Sequence, residues 1–247
     1  AAALLVLSAW AQPAGRSAFN EDWLYLKLEA GAQDLCPEVY ARPDCDDNAW
    51  RRLDLPHDWG VEMPFEQEYP GETGKLKWWG KAWYRKHFVL SAADLEQEIS
   101  LGIDGAMSGA VVYCNGSPVG RWPYGYASFE TDLTPALHEG DNVVSVSLDN
   151  PEESSRWYPG GGLYRNVWLI RSPRLGLSHG GIRITTPEIS PDAATVHVEV
   201  DTPENITAAL ETIHACGKKA GIVLKPATPA AAGRSRLRRS DGVRNPK

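Results

Sequence analysis

The chain, its first eleven residues included, has no apolar run long enough to cross a bilayer, which takes about 20 residues. It has no surplus of positive charge either. The formal net charge is −7, which excludes a general nucleic-acid binder, because that role needs a basic field. The four cysteines, Cys36, Cys45, Cys114 and Cys216, are not spaced as a zinc motif. Nothing else calls for a metal or a cofactor, and none is expected. Before residue 200 helical and strand patterns do not alternate, so a parallel α/β sheet is disfavoured.

What the chain does have is aromatic surface. Ten tryptophans and nine tyrosines suit an aromatic-rich β protein, and flat rings suit the apolar faces of sugars. Charge is unevenly spread. From Ala231 on, Arg234, Arg236, Arg238, Arg239, Arg244 and Lys247 face one acid, Asp241, so the tail is +5 and the rest is −12. Such a tail can meet nucleic acid or anionic lipid, but a disordered end is the plainer reading. Cys36 and Cys45 can close a short disulfide in an oxidising compartment or stay as two free thiols. Cys114 ends a strand pattern and reads as a small buried hydrophobe. The first residues, AAALLVLSAWA, end in the small-x-small form of a signal-peptidase site. Residues 1–11 are therefore read as a signal-peptide remnant, and the protein as secreted or periplasmic.

The stretch from Asn142 to Arg171 organises the rest. Val143, Val144, Val146 and Leu148 predict a buried strand, and Tyr164 to Arg171 predict a second. Between them lie Asp149, Asn150, Arg156, Trp157, Tyr158 and the triple glycine Gly160 to Gly162. This loop gathers what a sugar site uses: amide and guanidinium forks for hydroxyls, rings for the sugar face, and glycines for close approach. A plain surface loop between two sandwich strands has the same composition.

Elsewhere the patterns are also those of strands. Trp78 to Leu90 alternates aromatic and basic residues, which predicts one face on a core and Lys81, Arg85 and Lys86 in water. Asn115-Gly116 is a hairpin turn signal. Trp122, Tyr124 and Tyr126 alternate, so three rings can line one face of a strand. His57-Asp58 invites a catalytic reading, but neighbours in an extended segment point opposite ways, and a structural role is expected. Gly180 to Glu188 and Ala194 to Val200 read as two further strands. Together these predict a mainly β sandwich. Near Asp201 the grammar changes to one helix-strand unit: a helix over Thr207 to Cys216, capped by Gly217, then an apolar strand over Ala220 to Leu224.

The phrases DDNAWRRLDLPHDW, AWYRKHFVL, VYCNGSPVGRWPYGYASFETDLTPALHEGDNVVSVSLDN and SRWYPGGGLYRNVWL resemble the amino-terminal sugar-binding domain of family-2 glycoside hydrolases, the β-galactosidase and β-glucuronidase family. The resemblance implies a jelly-roll-like β-sandwich over residues 19–171 and the start of an immunoglobulin-like domain over 175–200. Residues 204–229, ENITAALETIHACGKKAGIVLKPATP, are similar to ribulose-phosphate 3-epimerase, covering one of that barrel's units. Residues 230–247 form the basic tail. A chimera joined near residue 201 is the expectation.

The same resemblance bears on chemistry. The family's retaining enzymes use two carboxylates about 5 Å apart, carried on a barrel of roughly 250 residues. Only 47 residues follow residue 200, so no catalytic residue is expected and the chain alone is predicted inactive. What the resemblance leaves is a positioning role: Asp149, Asn150, Arg156 and Trp157 against a terminal β-galactoside or related sugar, in company with the catalytic barrel of the full-length enzyme. Some members place an acidic, sodium-binding group where Arg156 stands, so no sodium site is expected there. A stand-alone carbohydrate-binding module, or a fragment related to the epimerase, are the competing readings.

Overall fold

The computed structural model describes residues 15–28, 37–69, 74–152, 160–174, 182–190 and 194–200. The signal-like start, Cys36, Arg156, Trp157, the helix and strand expected after residue 201, and the basic tail lie outside the described residues. The chain divides into two units, one ending at Arg174 and one beginning at Leu175.

In the first unit the strands are β1 (Gly15–Ala18), β2 (Trp23–Leu28), β3 (Arg51–Leu53), β4 (Gly80–Leu90), β5 (Gln97–Ile103), β6 (Ala110–Cys114), β7 (Ser117–Trp122), β8 (Phe129–Asp132), β9 (Gly140–Asn150) and β10 (Val167–Pro173). They form two antiparallel sheets, of order β1-β10-β5-β8 and β3-β2-β4-β9-β6-β7. The backbone of the larger sheet is β4 against β9, paired from Gly80↔Asn150 to Leu90↔Gly140. Alternation along β9 sends Val144, Val146 and Leu148 into the space between the sheets, where they meet Ile99, Leu101, Val167 and Leu169. Each such side chain, removed from water, stabilises the fold by about 1.5–3 kcal/mol. Asn115 (φ 49°) and Gly116 (φ 84°) turn β6 into β7 with both residues left-handed, the geometry a two-residue hairpin demands. Cys114 is buried and unbridged, and burial pushes its thiol up to about 12, so it behaves as a small hydrophobe.

In the second unit β11 (Ile182–Ile189) and β12 (Ala194–Val200) pair as an antiparallel hairpin. Its register slips between Thr185 and Glu188, where Pro187 has no N–H to give the ladder.

Two expectations need correcting. The aromatic row is absent: β7 ends at Trp122, which packs on the main core and stacks on Phe129. Tyr124 and Tyr126 sit in the bend that follows, edge to face at 5.6 Å. The second correction concerns Arg85, which is fully buried rather than solvated. The short helix α1 (Pro37–Ala41) and the segment after it cover the outer face of the larger sheet, and Ala41, Trp50 and Trp83 make a second, smaller core there. Arg85 lies beneath that cover. Its Nε donates to Asp47 Oδ2 at 2.8 Å, and its Nη1 to the carbonyls of Tyr40 and Arg42 and to Ser145 Oγ. Nε and Nη1 are thus met, which a buried guanidinium requires, while the buried Nη2 has no partner. Lys81 does face solvent, while Lys86 is half-buried and donates to the Glu21 carbonyl.

Removing one side of this network leaves the other stranded. Arg85→Ala is expected to lower the unfolding free energy by about 3–5 kcal/mol in urea titration. Arg85→Met, which keeps a stem beside Trp50, loses less.

Candidate functional site

At Asn150 the chain leaves the six-stranded sheet, and by β10 it runs in the four-stranded one. It reaches the second sheet through Gly160, Gly161 and Gly162, and the contacts there leave little space for any side chain. A Cβ on Gly161 would lie 2.3 Å from the Trp59 ring, and one on Gly162 2.4 Å from the His57 carbonyl oxygen. Gly162 also has φ +113°, which L side chains rarely adopt.

A buried backbone must find partners for its polar groups, and here the segment from His57 to Gly60 supplies several. Gly161 N–H donates to Asp58 Oδ1 at 2.8 Å, and its carbonyl accepts from Trp59 N–H at 3.0 Å. The Leu163 carbonyl accepts from His57 N–H. Gly162 exchanges both backbone bonds with Met107. Asn150 closes the base. Its Nδ2 donates to the carbonyls of Gly160 (2.7 Å) and Trp78 (3.1 Å), and its Oδ1 accepts from Ser108 Oγ at 3.0 Å. Trp59 Nε1 donates to the same Trp78 carbonyl at 2.8 Å.

The four sequence-derived residues therefore separate. Asn150 is buried, with both amide hydrogens given to backbone carbonyls. Asp149, its neighbour on a pleated strand, points to the opposite face, where it is exposed and pairs with Lys81 at 3.3 Å. Arg156 and Trp157 lie outside the described residues. His57 and Asp58 serve different partners. Asp58 holds the Gly60 and Gly161 amides. His57 Nδ1 is 2.7 Å from the Tyr84 hydroxyl. The other ring nitrogen, Nε2, faces Glu62 at 3.3 Å, outside good hydrogen-bond geometry. Burial holds the His57 pKa below its usual value, against the partial opposition of Glu62. The Arg51 fork on Glu62 holds that carboxyl below its own usual range. Asp58, Trp59, Trp78 and Ser108 escape periodicity arguments because they sit in irregular backbone. The phrase LDLPHDW was the signal that marked the first two. Among the described residues no group of three or more His, Cys, Asp or Glu side chains is placed to hold a metal ion.

Comparison with known proteins agrees with this architecture. The family "Glycosyl hydrolases family 2, sugar binding domain" matches residues 47–173, and the ribulose-phosphate 3 epimerase family matches residues 185–244. The chain is 39% identical to the β-galactosidase BoGH2A of Bacteroides ovatus over 221 residues, spanning 86% of this chain and 25% of that protein. That similarity runs past residue 201 wherever it begins. A putative β-glucuronidase of Formosa agariphila is 31% identical over 74% of this chain and 17% of its own length. A β-glycosidase structure from Bacteroides vulgatus superposes with a TM-score of 0.64 at 29% identity, covering 76% of this chain and 24% of that one. The chain thus spans a quarter or less of the length of these relatives.

Two outcomes follow from the crossing. Gly161→Ala forces Trp59 aside and is expected to destabilise the sandwich by about 1–3 kcal/mol, read as a lower urea midpoint. The second concerns pH. Because the folded pKa of His57 is depressed, its contribution is complete above the unfolded value of about 6.5 and is lost as pH falls from there. Glu62, also depressed, adds a further loss only below about 4.5. The melting temperature is expected to fall between pH 7 and 5, and His57→Gln to flatten that fall.

Proposed function

The chain belongs to glycosyl hydrolase family 2, and from that premise we propose that its sandwich is the sugar-positioning, non-catalytic part of a β-galactosidase-like enzyme. One observation carries the reading: the loop that leaves at Asn150 and returns at Gly160 is tied at its base by the Asn150 side chain. A loop closed in this way can present side chains at fixed places while its tip stays free to differ in length and composition. In this reading Arg156 reaches a hydroxyl or carboxylate of the terminal sugar and Trp157 stacks on its ring. Asn150 keeps the base shut, and Asp149 with Lys81 marks the neighbouring edge. Hydrolysis itself belongs to a barrel with two carboxylates, acting on a terminal β-galactoside or a related sugar.

The remaining segments fit the same picture. The antiparallel pairing of β11 and β12 supports an immunoglobulin-like start over residues 175–200, because barrel strands of the epimerase kind run parallel. Residues 204–229 are then an epimerase-like unit joined to the glycosidase part. The join is expected near residue 201, and the similarity to the B. ovatus enzyme, which continues past that point, favours one beyond it. The apolar start supports a secreted or periplasmic protein.

The chain by itself is expected not to hydrolyse nitrophenyl β-galactoside and to bind lactose with a Kd above about 1 mM. In the enzyme that carries the barrel, Trp157→Ala is expected to raise KM about tenfold with kcat little changed, equivalent to ~1.4 kcal/mol. Hydrolysis by the chain alone, or an unchanged KM, would overturn the reading.

A further inference from the structure

We propose that the outer face of the six-stranded sheet holds a separate carbohydrate site, a cleft of about 460 Å3 between β4, β9, β6 and β7 that takes a neutral hexopyranose unit. Outward-facing positions on β9 carry Ser145, Ser147 and Asp149, while the strands on either side present Trp83 and Tyr113. Ser147, small and outward-facing, leaves a depression beside these rings, while Ser145 is buried under Arg85. Trp83 is buried and packs against Tyr113 at 5.6 Å with the rings tilted by 33°, so the aromatic wall is held from below. Gly109, with φ +60°, completes the floor beside β9, where a Cβ would press to 2.8 Å on the Asp149 carbonyl oxygen.

Three of the five polar groups around this depression are unspent. Among the described residues the Ser147 hydroxyl, the Tyr113 hydroxyl and the exposed Arg121 guanidinium have no partner. Lys81 and Asp149 have each other at 3.3 Å, with both side chains about half exposed (48% and 57%). The inventory is therefore donors from Lys81 and Arg121, an acceptor in Asp149, and two hydroxyls that do either. A purely apolar ligand would leave the Ser147 and Tyr113 hydroxyls without bonds and would strip water from Lys81, Asp149 and Arg121, at a cost for each. A free anion would meet Asp149, and a free cation would meet Lys81 and Arg121. A neutral polyol with one apolar ring face satisfies the set: hydroxyls to the rim, ring face to Tyr113. The volume falls within the roughly 300–1,000 Å3 of small-ligand clefts.

The test is an NMR titration of the full 247-residue chain with lactose and, separately, cellobiose, following backbone amides. The expected result is saturable shifts at Ser147, Val111 and Asp149. Ser147→Arg, which fills the cleft, abolishes them, and Arg121→Ala, at an exposed position, weakens binding about fivefold. Unchanged spectra elsewhere show that both variants are folded. Shifts confined to Gly160–Gly162 would overturn this site while favouring the loop reading. Shifts at Ser147 without any at those glycines would support this site and count against the loop. Silence at Ser147 with both sugars, or shifts there that persist in Ser147→Arg, would overturn the proposal.

Discussion

The contact between the Gly161 backbone and the Trp59 ring is the constraint on which the sandwich depends. The chain must pass from one sheet to the other at that point, and it passes where there is no room for a Cβ. Close packing without side chains exposes the crossing's own N–H and carbonyl groups to an apolar interior, which is costly unless each is bonded. The segment His57 to Gly60 answers that need with a backbone amide from Trp59 and a carboxylate from Asp58. Asn150 and Trp59 then share the Trp78 carbonyl. Three stretches far apart in sequence are thereby locked into one knot of short, mutually dependent bonds. A change in any one would release polar groups belonging to the other two.

Buried polarity recurs on the opposite face of the same sheet. A strand that alternates aromatic and basic residues ordinarily keeps the basic ones wet, yet Arg85 is sealed under the segment that follows α1. The arrangement holds because Asp47 is charged, the Tyr40 and Arg42 carbonyls point inward, and Ser145 is small enough to leave space and polar enough to use it. His87 approaches the same Asp47 oxygen at 2.7 Å from the exposed side. One carboxylate therefore serves a buried cation and a surface ring together, and burial and pairing act on it in opposite directions, with pairing prevailing.

Asp149 and Asn150 show how a pleated strand divides labour between neighbours. Asn150 turns inward and ties the Gly160 and Trp78 carbonyls together. Asp149 turns outward to the cleft that Ser147 opens. A positioning surface of either kind raises turnover only in company with the reacting carboxylates, because fixed binding groups act through the geometry they impose on the substrate. In this domain the buried polar groups of the crossing are spent on its own backbone.

The sequence by itself determined the features that are local. Alternation along Gly140–Asn150 placed Val144, Val146 and Leu148 in the core. Asn115-Gly116 specified a turn that needs two positive φ angles. Proline and glycine punctuation marked the ends of the strands. The order of the family's phrases identified the sandwich and the loop. Tertiary structure alone decided the rest. The Asp58–Gly161 bond spans 103 residues, and no periodicity links its two ends. Arg85 is buried because a distant segment folds over it, which its own alternating strand does not record. Trp122, Tyr124 and Tyr126 share a spacing but not a strand, because the chain bends after Trp122. Local pattern sets which way a side chain points on a regular element. What it meets there is set by the segments that pack against it, and those are joined through space.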